Sequence, residues 1–336
     1  MKLLKTLAAS AALVGLLAGS AAAQDFADVD LPRTIRVIVA YNAGGSSDGL
    51  ARVTLPHWEA ALEELTGQST NAVVVNLPGA GGEIGWTALA NAQPDGSTIG
   101  IINLPAVPMV EAARETQFSP WLEKFVPLGL NVVDPNVIRL SSKSKHKTLK
   151  DAIEAAKANP GSVTVGADGP LSDDHVAMYA LQDATGAEFT FIPFAGGAPA
   201  NRAFLAGEVD IAVGNVFDHL KTVDGATEAI VLRDTRYDMI PDVPTADEYL
   251  GMDTRSIGSS RGFAAPAGSP DDLVEAYRAA FEQAFNNEEF QAEAKGRNIT
   301  IVEPAVGEDF GAVMQDLQKT SDDLMPLFVK GGYIQQ

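Results

Sequence analysis

The stretch that decides the fold is IRVIVAYNAGGSSDGLAR, residues 35–52. Its first part, Ile35 to Tyr41, is a β-branched run typical of a buried strand. Helical spacing with few breakers begins at Asp48 and continues to about Leu65. The glycine- and serine-rich segment between them, residues 42–47, therefore predicts a loop that joins the carboxyl end of a strand to the amino end of a helix.

The same order of strand, glycine-rich loop and helix occurs three more times. The further strands are expected at 72–76, 162–165 and 189–192, their loops at 78–82, 166–172 and 193–199, and their helices from about 83, from about 173 and up to 205. This repetition predicts a parallel α/β architecture whose loops gather at the carboxyl ends of the strands, where such sheets bind ligands. Because Ala-Gly-Gly recurs at 43–45, 80–82 and 195–197, two similar lobes are expected to face each other across a cleft.

The N-terminus has the features of an export signal. Lys2 and Lys5 precede an apolar run from Leu7 to Leu17, and Ala21-Ala22-Ala23 follows as a small-residue cleavage site. We expect a signal peptide over residues 1–23, cleavage after Ala23 and export to the periplasm. The apolar run is shorter than the roughly 20 residues that span a bilayer, so a retained membrane anchor is the less favoured alternative.

Length, charge and cysteine content narrow the possible functions. The 336 residues exceed one ordinary core and favour two domains. The absence of cysteine excludes disulfides, thiolate chemistry and cysteine-based zinc sites. The formal net charge of -20 argues against binding of nucleic acid or anionic lipid. An acidic ligand would have to be held by local groups that outweigh this distant, salt-screened charge.

The glycine-rich loops can supply such groups. A helix N-terminus carries unpaired N–H groups and about half a positive charge, and glycine lets a ligand approach them closely. Any one loop is more often a plain tight turn, but four in the same context favour a site for a carboxylate. None of the four loops contains Lys or Arg, and Arg52 is expected to form a local ion pair with Asp48 on the first helix.

Two enzyme alternatives are less well supported. Residues 45–49 match G-x-S-x-G, which would make Ser47 the nucleophile of a serine hydrolase. However, several loop residues separate the strand from Ser47, and the histidines at 57, 146, 175 and 219 offer no distinctive partner. The spacing Gly79-x-Gly81-x-x-x-Gly85 is related to a dinucleotide fingerprint, but Pro78 and the export signal weaken that interpretation.

A metal site at Asp173, Asp174 and His175 is also disfavoured. Adjacent residues on one helical turn are expected to point in different directions, so the two aspartates are interpreted as first-turn acids that complement the helix dipole.

At these loops the chain resembles the solute-binding proteins of tripartite tricarboxylate transporters, the Bug family. The matching segments run in the family's order over 35–52, 76–98, 192–210, 236–248 and 262–270. The resemblance implies an α/β, two-lobed Venus-flytrap fold, each lobe a mainly parallel sheet flanked by helices, that closes on a ligand without chemistry or cofactor. It implies a small organic carboxylate as ligand, a large and a small integral-membrane subunit as partners, and a monomer. A ligand-sensing receptor for a sensor kinase would have the same cleft and stays open as an alternative.

The resemblance also implies which residues contact the ligand. In the first lobe these are Tyr41, Asn42, Gly44, Gly45, Ser46, Ser47, Asp48, Gly79, Ala80, Gly81 and Gly82. In the second lobe they are Asp168, Gly169, Ser172, Asp174, His175, Phe194, Ala195, Gly196 and Asn215.

This chain departs from the family pattern in the second lobe. Leu171 replaces a Gly, Asp174 replaces a Ser or Thr, and Ala195 stands where a Lys is common. An added acid and a missing base make that side of the cleft less favourable for a second carboxylate. We therefore expect the distal end of the ligand to be neutral, aromatic or amino-bearing, and disfavour a citrate-like trianion.

The predicted lobe boundaries follow from the same resemblance. Lobe one is expected to comprise 30–131 with 256–336, and lobe two 132–255. Helical periodicity predicts C-terminal helices at 271–286 and 310–329, which are expected to pack against lobe one.

Overall fold

The computed structural model describes residues 26–251, 256–331 and 334. The signal peptide and its cleavage site after Ala23 lie outside these residues. The strands are β1 Thr34–Val39, β2 Asn71–Asn76, β3 Thr98–Leu104, β4 Phe125–Ser141, β5 Thr164–Asp168, β6 Thr190–Phe194, β7 Ile211–Asn215, β8 Ala226–Val231, β9 Gly258–Pro266 and β10 Ile301–Val306. The helices are α1 Ser46–Thr66, α2 Glu83–Ala90, α3 Ala106–Ala113, α4 Trp121–Lys124, α5 Leu149–Ala158, α6 Asp173–Thr185, α7 Gly197–Ala206, α8 Val216–Thr222, α9 Ala246–Leu250, α10 Asp271–Phe285, α11 Glu288–Gly296 and α12 Glu308–Lys330.

The strands form one continuous sheet with two halves. Their order is β2-β1-β3-β9-β4-β7-β5-β6, and β8 and β10 also pair with β4. Strands β2, β1 and β3 are parallel, as are β6, β5 and β7. Near the middle, β9 and β4 pair antiparallel with their neighbours. The α/β class and the two-lobed fold are therefore confirmed, with parallel pairing confined to the outer strands that carry the glycine-rich loops.

Strand β4 connects the two halves. It is 17 residues long, pairs with β9 and β10 through its first part, and pairs with β7 and β8 through its second part. The predicted boundary between residues 131 and 132 falls inside this strand. We keep the ranges 30–131 with 256–336 and 132–255 as a proposal for the two lobes.

Apolar packing joins the halves as well. In the core beside α1, the ring of Phe281 stacks on Trp58 at 4.9 Å and on Phe263 at 4.5 Å. Phe217, from the start of α8, is buried in this same core. None of the helices within the described residues combines the length and the apolar character needed to cross a membrane.

The two C-terminal helices behave differently from one another. Helix α10 packs against α1, as expected for a lobe-one helix. Helix α12 contacts α3 but also contacts α6, where Phe328 packs edge-on against His175 with ring centroids 4.9 Å apart. The expectation that both helices pack against lobe one is therefore incomplete, because the apolar face of α12 is long enough to reach the second half of the sheet.

A buried ion pair fastens β4 to β9. Arg261 Nη1 lies 2.9 Å from Asp134 Oδ2, and both side chains are almost fully buried. Arg261 Nη2 also donates to Asn215 Oδ1 at 2.5 Å, which extends the contact to the end of β7. Burial raises the pKa of Asp134 to about 6, although the arginine opposes this rise.

Removal of the arginine should destabilise the protein strongly. Because Arg261→Ala leaves Asp134 buried without its partner, we expect the free energy of unfolding to fall by about 3–5 kcal/mol in urea denaturation. The matched control is Arg52→Ala, which breaks an ion pair whose arginine is half exposed and should cost at most about 1 kcal/mol. Equal losses in the two variants would contradict this prediction.

Candidate functional site

The loop between β1 and α1 is fixed by its own helix. Helix α1 begins after Gly45, and Asp48 in its first turn accepts a hydrogen bond from Gly44 N at 2.9 Å. Arg52 pairs with Asp48 at 2.9 Å, so the predicted local ion pair is confirmed. Burial opposes ionisation of Asp48, but the hydrogen bonds from Arg52 and Gly44 outweigh it and lower the pKa of this carboxyl. These contacts fix the conformation of the loop that precedes the N-terminus of α1.

The loop between β2 and α2 requires its glycines. Gly79, Gly81 and Gly82 all have positive φ, a conformation that side chains rarely adopt. A Cβ on Gly82 would lie 2.5 Å from the Trp86 ring. A side chain at these positions would therefore strain the backbone, and at Gly82 it would also collide with Trp86.

The loop between β5 and α6 belongs to the second lobe. Ser172 is the N-cap of α6, and its Oγ accepts a hydrogen bond from His175 N at 3.2 Å. The His175 Nδ1 accepts from Leu171 N at 3.1 Å, and its ring stacks on Phe191 at 4.0 Å. Burial lowers the pKa of His175 to about 3, so this histidine is neutral and supports the shape of the loop.

Loops of the two lobes meet at one cavity. Asn42 Nδ2 donates to Ala195 O at 2.7 Å across the cleft, and a Cβ on Gly169 would lie only 2.7 Å from Gly81 Cα. The cavity beside these contacts measures about 210 Å³ and is lined by Tyr41, Gly79, Ala80, Gly81, Gly82, Gly169, Pro170, Phe194 and Ala195. Residues that the sequence assigned to the cleft from both lobes are thus brought together, and their contact with a ligand stays a prediction.

Other predicted site residues are not among those that line this cavity. Ser47 and Asp48 are buried in the first turn of α1, where Ser47 Oγ accepts from Asn103 Nδ2 at 2.9 Å. Asn215 caps α8 and donates to Asp173 Oδ2 at 2.8 Å.

Sequence reasoning missed three buried polar residues that hydrogen-bond to predicted site residues. Asn103 in β3 bonds to Ser47, Asn136 in β4 bonds to Asp174, and Arg261 in β9 bonds to Asn215. The sequence feature that could have identified them is a polar residue within an otherwise apolar strand, because a polar group is buried there only when it has hydrogen-bond partners.

Contact between Gly169 and Gly81 makes closure sensitive to one methyl group. Gly169 has an ordinary φ, so Gly169→Ala should introduce steric conflict with the opposite lobe without backbone strain. We expect a larger radius of gyration in small-angle X-ray scattering than for the wild type. Gly296→Ala, at a position with open space for a Cβ, serves as control. An unchanged radius for Gly169→Ala would mean that the two loops are apart in solution.

Three carboxyl groups converge at the second-lobe side of the cleft. One oxygen from each of Asp168, Asp173 and Asp174 lies within 4.8 Å of the others. The expectation that Asp173 and Asp174 point in different directions is therefore wrong. Asn136 Nδ2 donates to Asp173 Oδ2 at 2.9 Å and to Asp174 Oδ1 at 2.7 Å, which draws the two side chains together.

Carboxyl groups of this cluster have raised pKa values. Burial, and then the neighbouring Asp173, raise the pKa of Asp168 to about 7. Burial, and then the neighbouring Asp168 and Asp173, raise the pKa of Asp174 well above its usual range. Burial also raises the pKa of Tyr41, with further contributions from the three carboxyls, so the field at this point of the cleft is negative.

Stability should consequently fall as pH rises through about 7. Between about pH 6.5 and pH 8 the folded chain binds more protons at Asp168 than the unfolded chain, so the free energy of unfolding falls as pH rises. Below about pH 6.5 the buried His175 and His219, whose pKa values are lowered to about 3 and about 4, bind fewer protons in the folded chain than in the unfolded chain. These two residues therefore make the free energy of unfolding rise with pH. Asp168→Asn should flatten the decline in melting temperature between these pH values, whereas Asp224→Asn on the exposed surface should not. An identical slope in all three proteins would contradict the assignment.

Two sheet halves joined by crossing strands, with loops from both around one cavity, define a two-lobed binding protein. The sequence profile described as "Tripartite tricarboxylate transporter family receptor" matches residues 59–324. The chain belongs to this family, which confirms the resemblance found in its loops.

Individual relatives agree with this assignment. Protein BugT of Bordetella pertussis is 32% identical over 244 residues, which cover 70% of this chain and 72% of BugT. The structure of the periplasmic binding protein BugD superposes with a TM-score of 0.79 at 26% identity, over 90% of this chain and 99% of BugD. MatC from Rhodopseudomonas palustris with bound malate has a TM-score of 0.77 over 87% of this chain and 98% of MatC; at 23% identity this likeness concerns the fold.

Proposed function

We propose that this chain is an extracytoplasmic receptor that captures a small organic carboxylate and delivers it to a tripartite tricarboxylate-type secondary transporter. The observation that carries the proposal is the cavity between the lobes, which is lined by glycine-rich main chain from both sides. No Lys or Arg is among the nine described residues that line it. Main-chain N–H groups at helix N-termini would therefore be the groups that hold the anion.

The size of the cavity supports a small ligand. Its volume of about 210 Å³ lies below the roughly 300–1,000 Å³ typical of pockets for larger organic molecules. The formal charge of -20 repels acids at long range, but salt screens this repulsion beyond about 10 Å. Donors that touch the carboxylate can therefore dominate the binding free energy.

The proposal includes partners and location. A large and a small integral-membrane subunit would receive the loaded protein, and the chain would act as a monomer in the periplasm after cleavage at Ala23. The family description as a transporter receptor supports this arrangement. Closure that brings Asn42 to Ala195 would give the membrane subunits a shape that differs between loaded and empty protein.

The geometry gives no support to catalysis by Ser47. The residue lies inside α1 and not on a sharp turn directly after the strand. Its hydroxyl accepts a hydrogen bond from the side-chain amide of Asn103, a group that does not act as a general base.

A thermal-shift screen of the mature chain tests the ligand class. The panel contains mono-, di- and tricarboxylates, acidic amino acids and aromatic acids, with sugars and NAD as controls. An acid present at 100 times its dissociation constant should stabilise the protein by about 2.7 kcal/mol. Gly169→Ala should weaken binding of that acid by about tenfold or more because closure is obstructed, and Gly296→Ala should not.

Two outcomes would contradict the proposal. If only NAD or a sugar raises the melting temperature, or if no acid in the panel raises it, the loops bind something other than a carboxylate. Uptake of the acid by cells that produce this chain with both membrane subunits would distinguish a transport receptor from a sensory one. Uptake that is unaffected by deletion of this chain would exclude the transport role.

A further inference from the structure

Four consecutive residues in the loop between β2 and α2 have positive φ. The values are 134° at Gly79, 50° at Ala80, 71° at Gly81 and 104° at Gly82. Glycine adopts such values without steric cost, whereas the Cβ of an alanine then lies too close to the following carbonyl oxygen. The loop therefore needs contacts that hold Ala80 in a conformation that alanine disfavours.

Few residues other than glycine have positive φ in the described part of the chain. They are Ala80, Leu171 and Asn298. Asparagine tolerates this conformation well, so Ala80 and Leu171 are the two costly cases. Both belong to loops of the cleft, and these loops touch, because a Cβ on Gly81 would lie 2.6 Å from Pro170 O. Strained residues of this kind persist only where surrounding contacts hold them, and they cluster at functional sites.

The side chain of Arg114 contacts Ala80 from the end of α3. Its Nη2 donates to Ala80 O at 3.2 Å and lies 2.6 Å from Glu83 Oε2, and its Nε donates to the same carboxylate oxygen at 2.8 Å. Glu83 is the first residue of α2, and its backbone N–H also donates to Ala80 O. The carbonyl group of Ala80 is thus held by a main-chain donor and by a guanidinium that is itself fixed by Glu83.

A hydrogen bond to Ala80 O also sets the direction of the next N–H group. The peptide bond between Ala80 and Gly81 is trans, and a planar trans peptide holds its C=O and its N–H in opposite directions. Rotation of this peptide unit would therefore break the contact with Arg114. Ala80 and Gly81 both line the cavity between the lobes, so Arg114 orients a main-chain group at the cavity without lining the cavity itself.

We propose that Arg114 is a positioning residue of the binding cavity, which holds Ala80 in its left-handed conformation and so orients the main-chain groups that contact the carboxylate. This inference rests on the proposed function, because the main chain of this loop is assigned to the anion. An exposed ion pair by itself contributes little to stability. The Arg114 side chain is 39% exposed, so its removal should change the loop and leave the fold intact.

Hydrogen–deuterium exchange of the unliganded protein tests the conformational part of the proposal. The amides of Gly82 and Glu83 donate to Gly79 O and Ala80 O within this loop. In Arg114→Ala both amides should exchange about tenfold or more faster than in the wild type, because the loop leaves its closed conformation more often. Unchanged exchange at both amides would overturn the proposal.

Arg236→Ala is the matched control. Arg236 is also exposed, pairs with Glu248 at 2.9 Å and donates to Pro241 O at 3.0 Å, so it makes the same two kinds of contact as Arg114. None of these three residues lines the cavity between the lobes. The control should leave exchange at Gly82 and Glu83 unchanged, and faster exchange there in both variants would assign the effect to a general loss of stability.

Calorimetric titration with malate, adipate and benzoate tests the effect on binding. For each of these acids that the wild type binds, Arg114→Ala should raise Kd about tenfold or more, and Arg236→Ala should leave Kd unchanged. A melting temperature of Arg114→Ala close to that of the wild type would show that weaker binding does not reflect unfolding. If the wild type binds none of the acids in the full panel, the proposed function fails, whereas the exchange experiment still decides whether Arg114 holds the loop.

A double-mutant cycle shows whether Arg114 acts through Ala80. Ala80→Gly removes the Cβ that makes the left-handed conformation costly, so the arginine is needed less. In this background Arg114→Ala should raise Kd by less than about threefold. An equal loss of affinity in both backgrounds would show that Arg114 does not act through the conformation of Ala80, and would overturn the proposal while leaving the carboxylate receptor in place.

Discussion

The contact between Asp134 and Arg261 is the constraint on which the rest of the structure depends. It joins β9 to β4, the strand that runs through both halves of the sheet, and Arg261 extends the connection to Asn215 at the end of β7. Because an ion pair in a low-dielectric interior must keep its geometry to offset desolvation, it fixes the position at which the lobes diverge. Asp134 directly precedes Pro135, the last residue of β4 to pair with β9 before β4 begins to pair with β7, so the ion pair lies at the junction of the two halves of the sheet.

From that junction, small residues determine how closely the lobes approach. Gly81 and Gly169 touch backbone to backbone, and Asn42 reaches the main chain of Ala195 across the cleft. Peptide groups are the same in every chain, so a contact built from them provides donors for an anion without a fixed positive charge.

Local sequence predicted those features whose partners are close along the chain. The Asp48–Arg52 pair spans one helical turn, and the glycine-rich loops between strand and helix follow from residue type, so both were predictable. The convergence of Asp173 with Asp174 was not, because Asn136 lies 37 and 38 positions away and draws both side chains toward itself. Helical geometry alone separates adjacent side chains, and a distant amide overrides it here.

The sequence by itself determined the α/β class, the succession of strands and loops along the chain, and the membership of the transporter-receptor family. These features depend on short-range periodicity and on motifs in a fixed order. Only the tertiary structure decided which buried polar residues share the cleft. Asn103, Asn136 and Arg261 come from three different strands, and their proximity depends on how β3, β9, β4 and β7 are ordered in the sheet. Strand order in the sheet is set by packing and hydrogen bonding between distant segments, so no local pattern records that Asn103 meets Ser47, that Asn136 meets Asp173 or that Arg261 meets Asn215.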